Sequence, residues 1–227
     1  MLDLQINWGG MHPKILCLGA HADDIEIGCG GTLLNMLSTN IKPEICWVVF
    51  SANEKRKEEA LESANYFLSN SAKKHVFIRD FKENFFPYNG GLIKEYFNEL
   101  KGFFNPDIIF THYRRDLHQD HRLIYDLTLN AYRDHLIFEY EIPKYDGDLG
   151  SPHVFVPLDE RGLDDKIKSL FKYFQSQKVK PWFSEDTFLA LPRLRGIESN
   201  SPSGYAEAFF CRKMILANFA LIQDENG

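Results

Sequence analysis

Cysteine is scarce in this chain: four in 227 residues, at positions 17, 29, 46 and 211, with no Cys-x-x-Cys pair. That spacing provides neither a disulfide framework nor a thiolate zinc site, and it predicts reduced thiols and a cytoplasmic protein. Long apolar runs are missing as well. The longest late stretch, 214–222, contains Asn218 and falls short of the roughly 18 residues that cross a bilayer. Residues 1–14 include Asp3, Asn7, Gly9 and Gly10 and lack the apolar centre of a signal peptide. Nothing here is expected to be membrane-embedded. Basic clusters are equally rare. Against 26 Lys and Arg stand 32 Asp and Glu, a net charge of −6, and the one basic knot, Lys55-Arg56-Lys57, is flanked by Glu54, Glu58 and Glu59. A nucleic-acid backbone is therefore not the expected partner. What remains is an ordinary soluble composition, 44% apolar and 26% charged, with enough residues for one large domain. We expect a single domain over 1–227, since no repeat, low-complexity linker or domain boundary interrupts it.

Apolar periodicity alternates along the first half. Near-continuous apolar runs predict buried strands over 14–20, 44–50, 75–78 and 106–112, separated by helical patterns over 30–38, 54–68 and 92–104. In the 54–68 segment, Ala60, Leu61, Ala64, Phe67 and Leu68 recur at three- and four-residue steps. Strands alternating with helices imply parallel crossovers, hence a three-layer α/β/α, Rossmann-like, mostly parallel sheet. Further on, the pattern predicts a helix from 121 to 132, strands over 136–142 and 154–156, and a helix over 159–177. It also predicts an irregular or weakly helical stretch over 181–202, and a final helix from Gly204 through Ile215.

Within this frame one dodecapeptide stands out: His21-Ala22-Asp23-Asp24-Ile25-Glu26-Ile27-Gly28-Cys29-Gly30-Gly31-Thr32. It sets a histidine and two adjacent carboxylates just past the end of the first strand, with a glycine-rich turn expected to open the following helix. Ligands of open α/β sheets bind outside that edge. Burying neighbouring carboxylates is costly without a cation or donors to compensate, and a bound metal is the simplest compensation. A second stretch, His118-Gln119-Asp120-His121, follows the fourth strand, and His112 closes that strand itself. His21, Asp24 and one histidine of the 118/121 pair form a donor set suited to catalytic zinc. Asp23 is then left to take a proton from activated water. The spare histidine is left to stabilise an oxyanion or protonate a leaving amine. Such a set hydrolyses acyl or amide bonds. Blander readings exist: Asp-Asp as a helix N-cap, the glycines as a tight turn, and His-x-x-His as a polar helix start. A glycine turn before a helix also fits a non-catalytic module that holds a nucleotide or sugar phosphate. A metal phosphoesterase would call for more carboxylates than the motifs supply.

The dodecapeptide resembles the His-Pro-Asp-Asp-x-Glu-x-Gly-x-Gly-Gly signature of the PIG-L/LmbE-like family of zinc-dependent N-deacetylases. His118-Gln119-Asp120-His121 resembles that family's His-Pro-Asp-His, Arg56-Lys57-Glu58-Glu59-Ala60 its Arg-x-x-Glu helix start, and Tyr205-Ala206-Glu207-Ala208-Phe209 its Tyr-Ala-Glu-Ala-Phe. The resemblance implies Zn2+ held by His21, Asp24 and His121, with Asp23 as general base and His118 as the electrophilic or acid partner. It further implies Arg56 on sugar hydroxyls, Tyr205 lining the pocket, and Asp120 orienting an imidazole; Asp116 is a weaker candidate for the same task. The implied substrate is a small-molecule N-acetylated sugar or sugar conjugate, with oligomeric state left open. Phe85, Phe86, Tyr88, Tyr113, Trp182 and Phe183 are candidates for a sugar-stacking face. Ala22 and Gln119 depart from the signatures: each replaces a proline that would restrict the backbone beside a site histidine.

Overall fold

Strand β1 (Lys14–His21) is buried at every position after Lys14, and β2 (Glu44–Ser51) at every position after Glu44. Runs that are apolar on both faces can be satisfied only as interior strands covered from two sides. The computed structural model describes residues 3–6, 8 and 12–215. In chain order the remaining elements are α1 (Asp24–Ser38, which precedes β2), α2 (Glu54–Phe67), β3 (Lys73–Ile78), a 3-10 turn (Phe86–Asn89) and α3 (Gly90–Phe103). They continue with β4 (Ile108–His112), α4 (Gln119–Ala131), β5 (Leu136–Tyr140), β6 (Val154–Pro157), α5 (Glu160–Tyr173), a second 3-10 turn (Gln175–Gln177), α6 (Glu185–Ser199) and β7 (Ala206–Cys211).

The seven strands form one sheet in the order β3-β2-β1-β4-β5-β7-β6. Strands β1 to β5 pair in parallel, and β7 runs antiparallel between β5 and β6. One apolar layer packs α1, α2 and α5 on the sheet through Ile25, Leu33, Phe67 and Leu170. The opposite layer packs α3 and α4 through Ile93, Phe97 and Ile124. The expected three-layer, mostly parallel architecture is therefore the one that forms. Chain order reverses between β1 and β4, so the C-terminal ends of these two strands lie side by side at the switch point. Among the described residues no helix is long and apolar enough to cross a membrane.

Three expectations need correction. The final helix over 204–215 is instead strand β7. Gly204 sits at φ +78°, a turn conformation, and 206–210 are all buried, which a slot between two strands provides and an amphipathic helix does not. The 181–202 stretch contains a full helix, α6. Its Pro192 removes one backbone donor, but Ser184 caps the start and Asn200 closes the end in the left-handed region. Buried Phe188 and Arg195 fix the helix to its neighbours. Finally, Gly28, Gly30 and Gly31 do not form a turn before a helix, because α1 begins at Asp24 and they lie inside it. Their role is close packing: a Cβ at Gly28 would come within 2.2 Å of the Tyr140 ring, and one at Gly30 within 2.9 Å of Phe67. The anion-holding module loses its premise, since the glycines line no helix N-terminus.

Gly28→Ala should therefore lower stability by about 1–3 kcal/mol through overpacking. Gly91→Ala on α3, where nothing lies within 4 Å, should leave stability unchanged or raise it. Urea unfolding of both variants checks this, and equal midpoints would contradict the packing role.

Candidate metal centre

The chemistry gathers at the switch point. His21 ends β1 and His112 ends β4, Asp23 and Asp24 begin α1, and His118 and His121 begin α4. Asp23 occupies the N-cap position of α1, yet its side chain makes no capping bond. Its Oδ1 accepts instead from Arg56 Nη2 at 2.8 Å. The blander reading of Asp-Asp as a helix cap therefore does not describe this carboxylate. Asp24 accepts the His21 backbone N–H on Oδ2 at 2.6 Å.

Hydrogen bonds fix which ring nitrogens are free. His121 donates Nδ1–H to Asp116 Oδ2 (2.9 Å), and His21 donates Nε2–H to Asp120 Oδ2 (3.1 Å). Each imidazole thus keeps a lone pair on its other nitrogen, and these two nitrogens, His21 Nδ1 and His121 Nε2, face each other at 3.2 Å. Asp24 completes the triangle: its Oδ2 is 3.6 Å from His21 Nδ1 and its Oδ1 3.6 Å from His121 Nε2. Two lone pairs and a carboxylate converge only around a cation, either a proton or a metal. Tetrahedral zinc with ligands at about 2.0–2.1 Å spaces them about 3.3 Å apart, close to the 3.2 Å between the two imidazole nitrogens, and two imidazoles with a carboxylate are donors that zinc takes. A carboxylate behind each imidazole is the arrangement that orients histidine ligands.

The backing carboxylates are themselves anchored. Asp120 accepts the Asn84 N–H (2.6 Å) and the Phe86 N–H (3.1 Å). Asp116 accepts the His118 N–H (2.8 Å) and pairs with Lys144 Nζ (3.0 Å). Asn84 lies in the left-handed region, φ +64°, where the loop before the 3-10 turn bends onto α4. Gln119 ties that loop down through Nε2 to Asn84 O at 2.6 Å, so a side-chain bond at the proline position now restrains the segment. Ala22, the other replacement, is fully buried in the core.

His112 and His118 also approach the triangle, and each forms a candidate metal-holding group with His121. His112 Nε2 lies 3.3 Å from Asp24 Oδ2, and hydrogen bonds engage one ring nitrogen of each histidine. His112 Nε2 accepts the Ala20 N–H at 2.9 Å, which occupies its lone pair, while the ring stacks on His121 at 3.9 Å between centroids. His118 Nδ1 accepts the Asp120 N–H at 3.2 Å, so in the neutral ring the proton sits on Nε2 as a donor.

Electrostatics sort the acids. Burial pushes the Asp23 carboxyl up to about 6, against the pull of the Arg56 guanidinium. Burial would raise Asp24 too, but the charges of His121, His112 and His21 hold it well below the usual range. Burial and neighbouring His112 push His121 down to about 3, and burial and His21 lower His118. Burial opposes charging of His21, yet the Asp120 hydrogen bond and the Asp24 charge raise it. Farther along α1, burial raises the Glu26 carboxyl to about 8 while Ser63 Oγ donates to it at 2.6 Å.

Not every expected residue reaches the site. Arg56 is buried, bound to Asp23 and 3.5 Å from Glu83, rather than open to a ligand. Tyr205 packs beneath Arg193, between α5 and α6 and apart from the histidines. Phe86, Tyr113 and Phe183 are core residues, and Trp182 packs on Phe183, leaving only Phe85 and Tyr88 exposed. Sequence reasoning missed Lys144, Asn84 and Glu83, which lie on loops without a motif.

The chain matches the PIG-L family, described as GlcNAc-PI de-N-acetylase, over residues 16–132, which span β1 to α4 and both histidine motifs. Among solved structures it resembles a conserved protein from Thermus thermophilus, at 18% identity over 91% of this chain and 97% of that one, with a TM-score of 0.69. It also resembles the N,N'-diacetylchitobiose deacetylase from Pyrococcus horikoshii (18%, 88% and 83%, TM-score 0.64). A third similar structure is GalB, the 4-carboxy-2-hydroxymuconate hydratase from Pseudomonas putida (15%, 92% and 100%, TM-score 0.66). At these identities the likeness is one of fold.

Added zinc should raise the thermal midpoint of the parent protein. At a hundredfold excess over Kd the gain is about 2.7 kcal/mol. His121→Ala should abolish the shift, while His112→Phe, which keeps a stacking ring, should retain it. The reverse ranking, read by calorimetry, would identify His112 as the ligand.

Proposed function

This chain belongs to the PIG-L family of GlcNAc-PI de-N-acetylases, and from that premise we propose that it is a zinc-dependent amide hydrolase. It removes the acetyl group from an N-acetylamino sugar or its conjugate, with residues 1–227 acting as one catalytic domain. The observation that carries this reading is the pair of opposed imidazole nitrogens, 3.2 Å apart, with a second buried carboxylate, Asp23, next in sequence to Asp24 and held by Arg56.

His21, Asp24 and His121 hold the ion, which when bound supplies Lewis acidity to the acetamide carbonyl and to water. Asp23 receives the proton of the attacking water. Its Oδ1 is held by Arg56, which leaves Oδ2 as the basic atom. Burial raises its proton affinity toward neutrality, where a general base works best. As the carbonyl becomes tetrahedral, negative charge grows on its oxygen, and His118 Nε2–H is the donor that would stabilise it. Because its Nδ1 is engaged by the helix amide, His118 stabilises this charge as a neutral imidazole. Asp23 then returns its proton to the departing nitrogen, and acetate and a free amine result. Arg56 positions the base by holding its Oδ1. The deacetylase activity named for the Pyrococcus horikoshii neighbour supports an N-acetyl sugar substrate.

A screen of N-acetylated sugars, free and conjugated, for chelator-sensitive acetate release tests the reading; phosphate release or hydration without acetate would overturn it. Asp23→Asn should bind zinc as the parent does while losing about 10²–10⁴-fold in kcat. Near-normal turnover in that variant would remove Asp23 from the role of base.

A further inference from the structure

The Tyr205-Ala206-Glu207 motif plays no part in the chemistry above, yet its glutamate does something unusual to the helix that carries both aspartates. Glu207, on β7, is buried and directs both carboxylate oxygens into the side of α1. Oε1 accepts the Gly31 N–H at 2.8 Å and Oε2 the Thr32 N–H at 2.7 Å. Lys166, on α5 and equally buried, donates to Ile27 O on the same helix (2.7 Å) and to Glu207 Oε1 (2.6 Å). In a regular α-helix the Ile27 carbonyl and the Gly31 amide are each other's partners. Here each also has a charged side-chain partner from another element. The approach depends on glycine, since a Cβ at Gly31 would lie 2.9 Å from Glu207 Oε1.

The stretch so gripped is the weakest part of α1. Three of its four residues from 28 to 31 are glycine, which weakens a helix more than any residue except proline. Below that stretch lies the rest of the helix; above it lie only the turns that bear Asp23 and Asp24. We propose that Lys166 and Glu207 are positioning residues, a buried latch that fixes the first turns of α1 and so sets Asp23 and Asp24 against His21 and His121. The consequence for metal binding rests on the zinc reading given above.

The test uses the full chain carrying Lys166→Met and Glu207→Gln together, which removes both charges and leaves no buried ion unpaired. Two quantities are measured: amide hydrogen exchange over 24–32 in the metal-free protein, and zinc affinity by competition with a chromophoric chelator. The latch predicts about tenfold faster exchange in 24–32 with β2 and α3 unchanged, and zinc bound about tenfold more weakly, the usual scale for losing a group that orients ligands. Restoring Glu207 alone in the Lys166→Met background should recover part of the protection, because its two amide bonds return. Unchanged exchange in the double variant overturns the latch. Faster exchange with parental zinc affinity overturns its link to the site. A parent protein that takes up no zinc contradicts the metal reading itself and, with it, that link, while the exchange result still decides whether the latch exists.

Discussion

Two imidazole nitrogens face each other at 3.2 Å, each bare because its ring proton points to a carboxylate on the far side, and the molecule is arranged around that constraint. Left alone, the two lone pairs repel. Held with Asp24 around a cation, they form a site. The sheet topology makes the meeting possible, because only the reversal of chain order between β1 and β4 brings the ends of those strands together. The loop around Asn84 fixes Asp120, and Lys144 with the His118 amide fixes Asp116. Each backing carboxylate is therefore locked before a ligand arrives, which is how a fold preorganises a metal centre.

The same arrangement divides two neighbouring acids by environment. Asp24 is surrounded by three histidines and stays ionised, whereas Asp23, although paired with Arg56, gains proton affinity through burial. Adjacent residues on one helix thus become a ligand and a base. The histidines divide in a similar way, through the backbone amide that each accepts or does not. The Ala20 amide takes the lone pair of His112, and the Asp120 amide takes one nitrogen of His118. Among the described residues, His21 and His121 accept no backbone amide, which leaves their lone pairs for the cation.

Much of this was legible in the sequence. Strands β1, β2 and β4 are buried on both faces, so their apolar runs need no context, and the alternation with helices dictates parallel crossovers. The motifs pointed to His21, Asp24 and one histidine of the 118/121 pair, with the resemblance pointing to His121, and in the structure His21, Asp24 and His121 lie together with His112 and His118. Less legible were features set by distant partners. Strand β7 is a strand because β5 and β6 leave a slot for it, which no local pattern records. Helix α6 survives Pro192 through its cap and its buried anchors. The glycines of α1 resemble a phosphate-binding turn but serve Tyr140, Phe67 and Glu207, residues 37 to 176 positions away. Gln119 could be read only as a missing proline, and its bond to Asn84 appears once the loop is folded onto α4.

The central claim is a cation held by His21 Nδ1, His121 Nε2 and the Asp24 carboxylate. The most direct measurement is a crystal structure of the zinc-loaded protein with anomalous data collected at the zinc edge. The account predicts one ion about 2.0–2.2 Å from each of those three groups, with His112 outside its shell and His118 turned toward the substrate position. An ion ligated by His112, or an empty triangle in a crystal that holds zinc elsewhere on the chain, would contradict it.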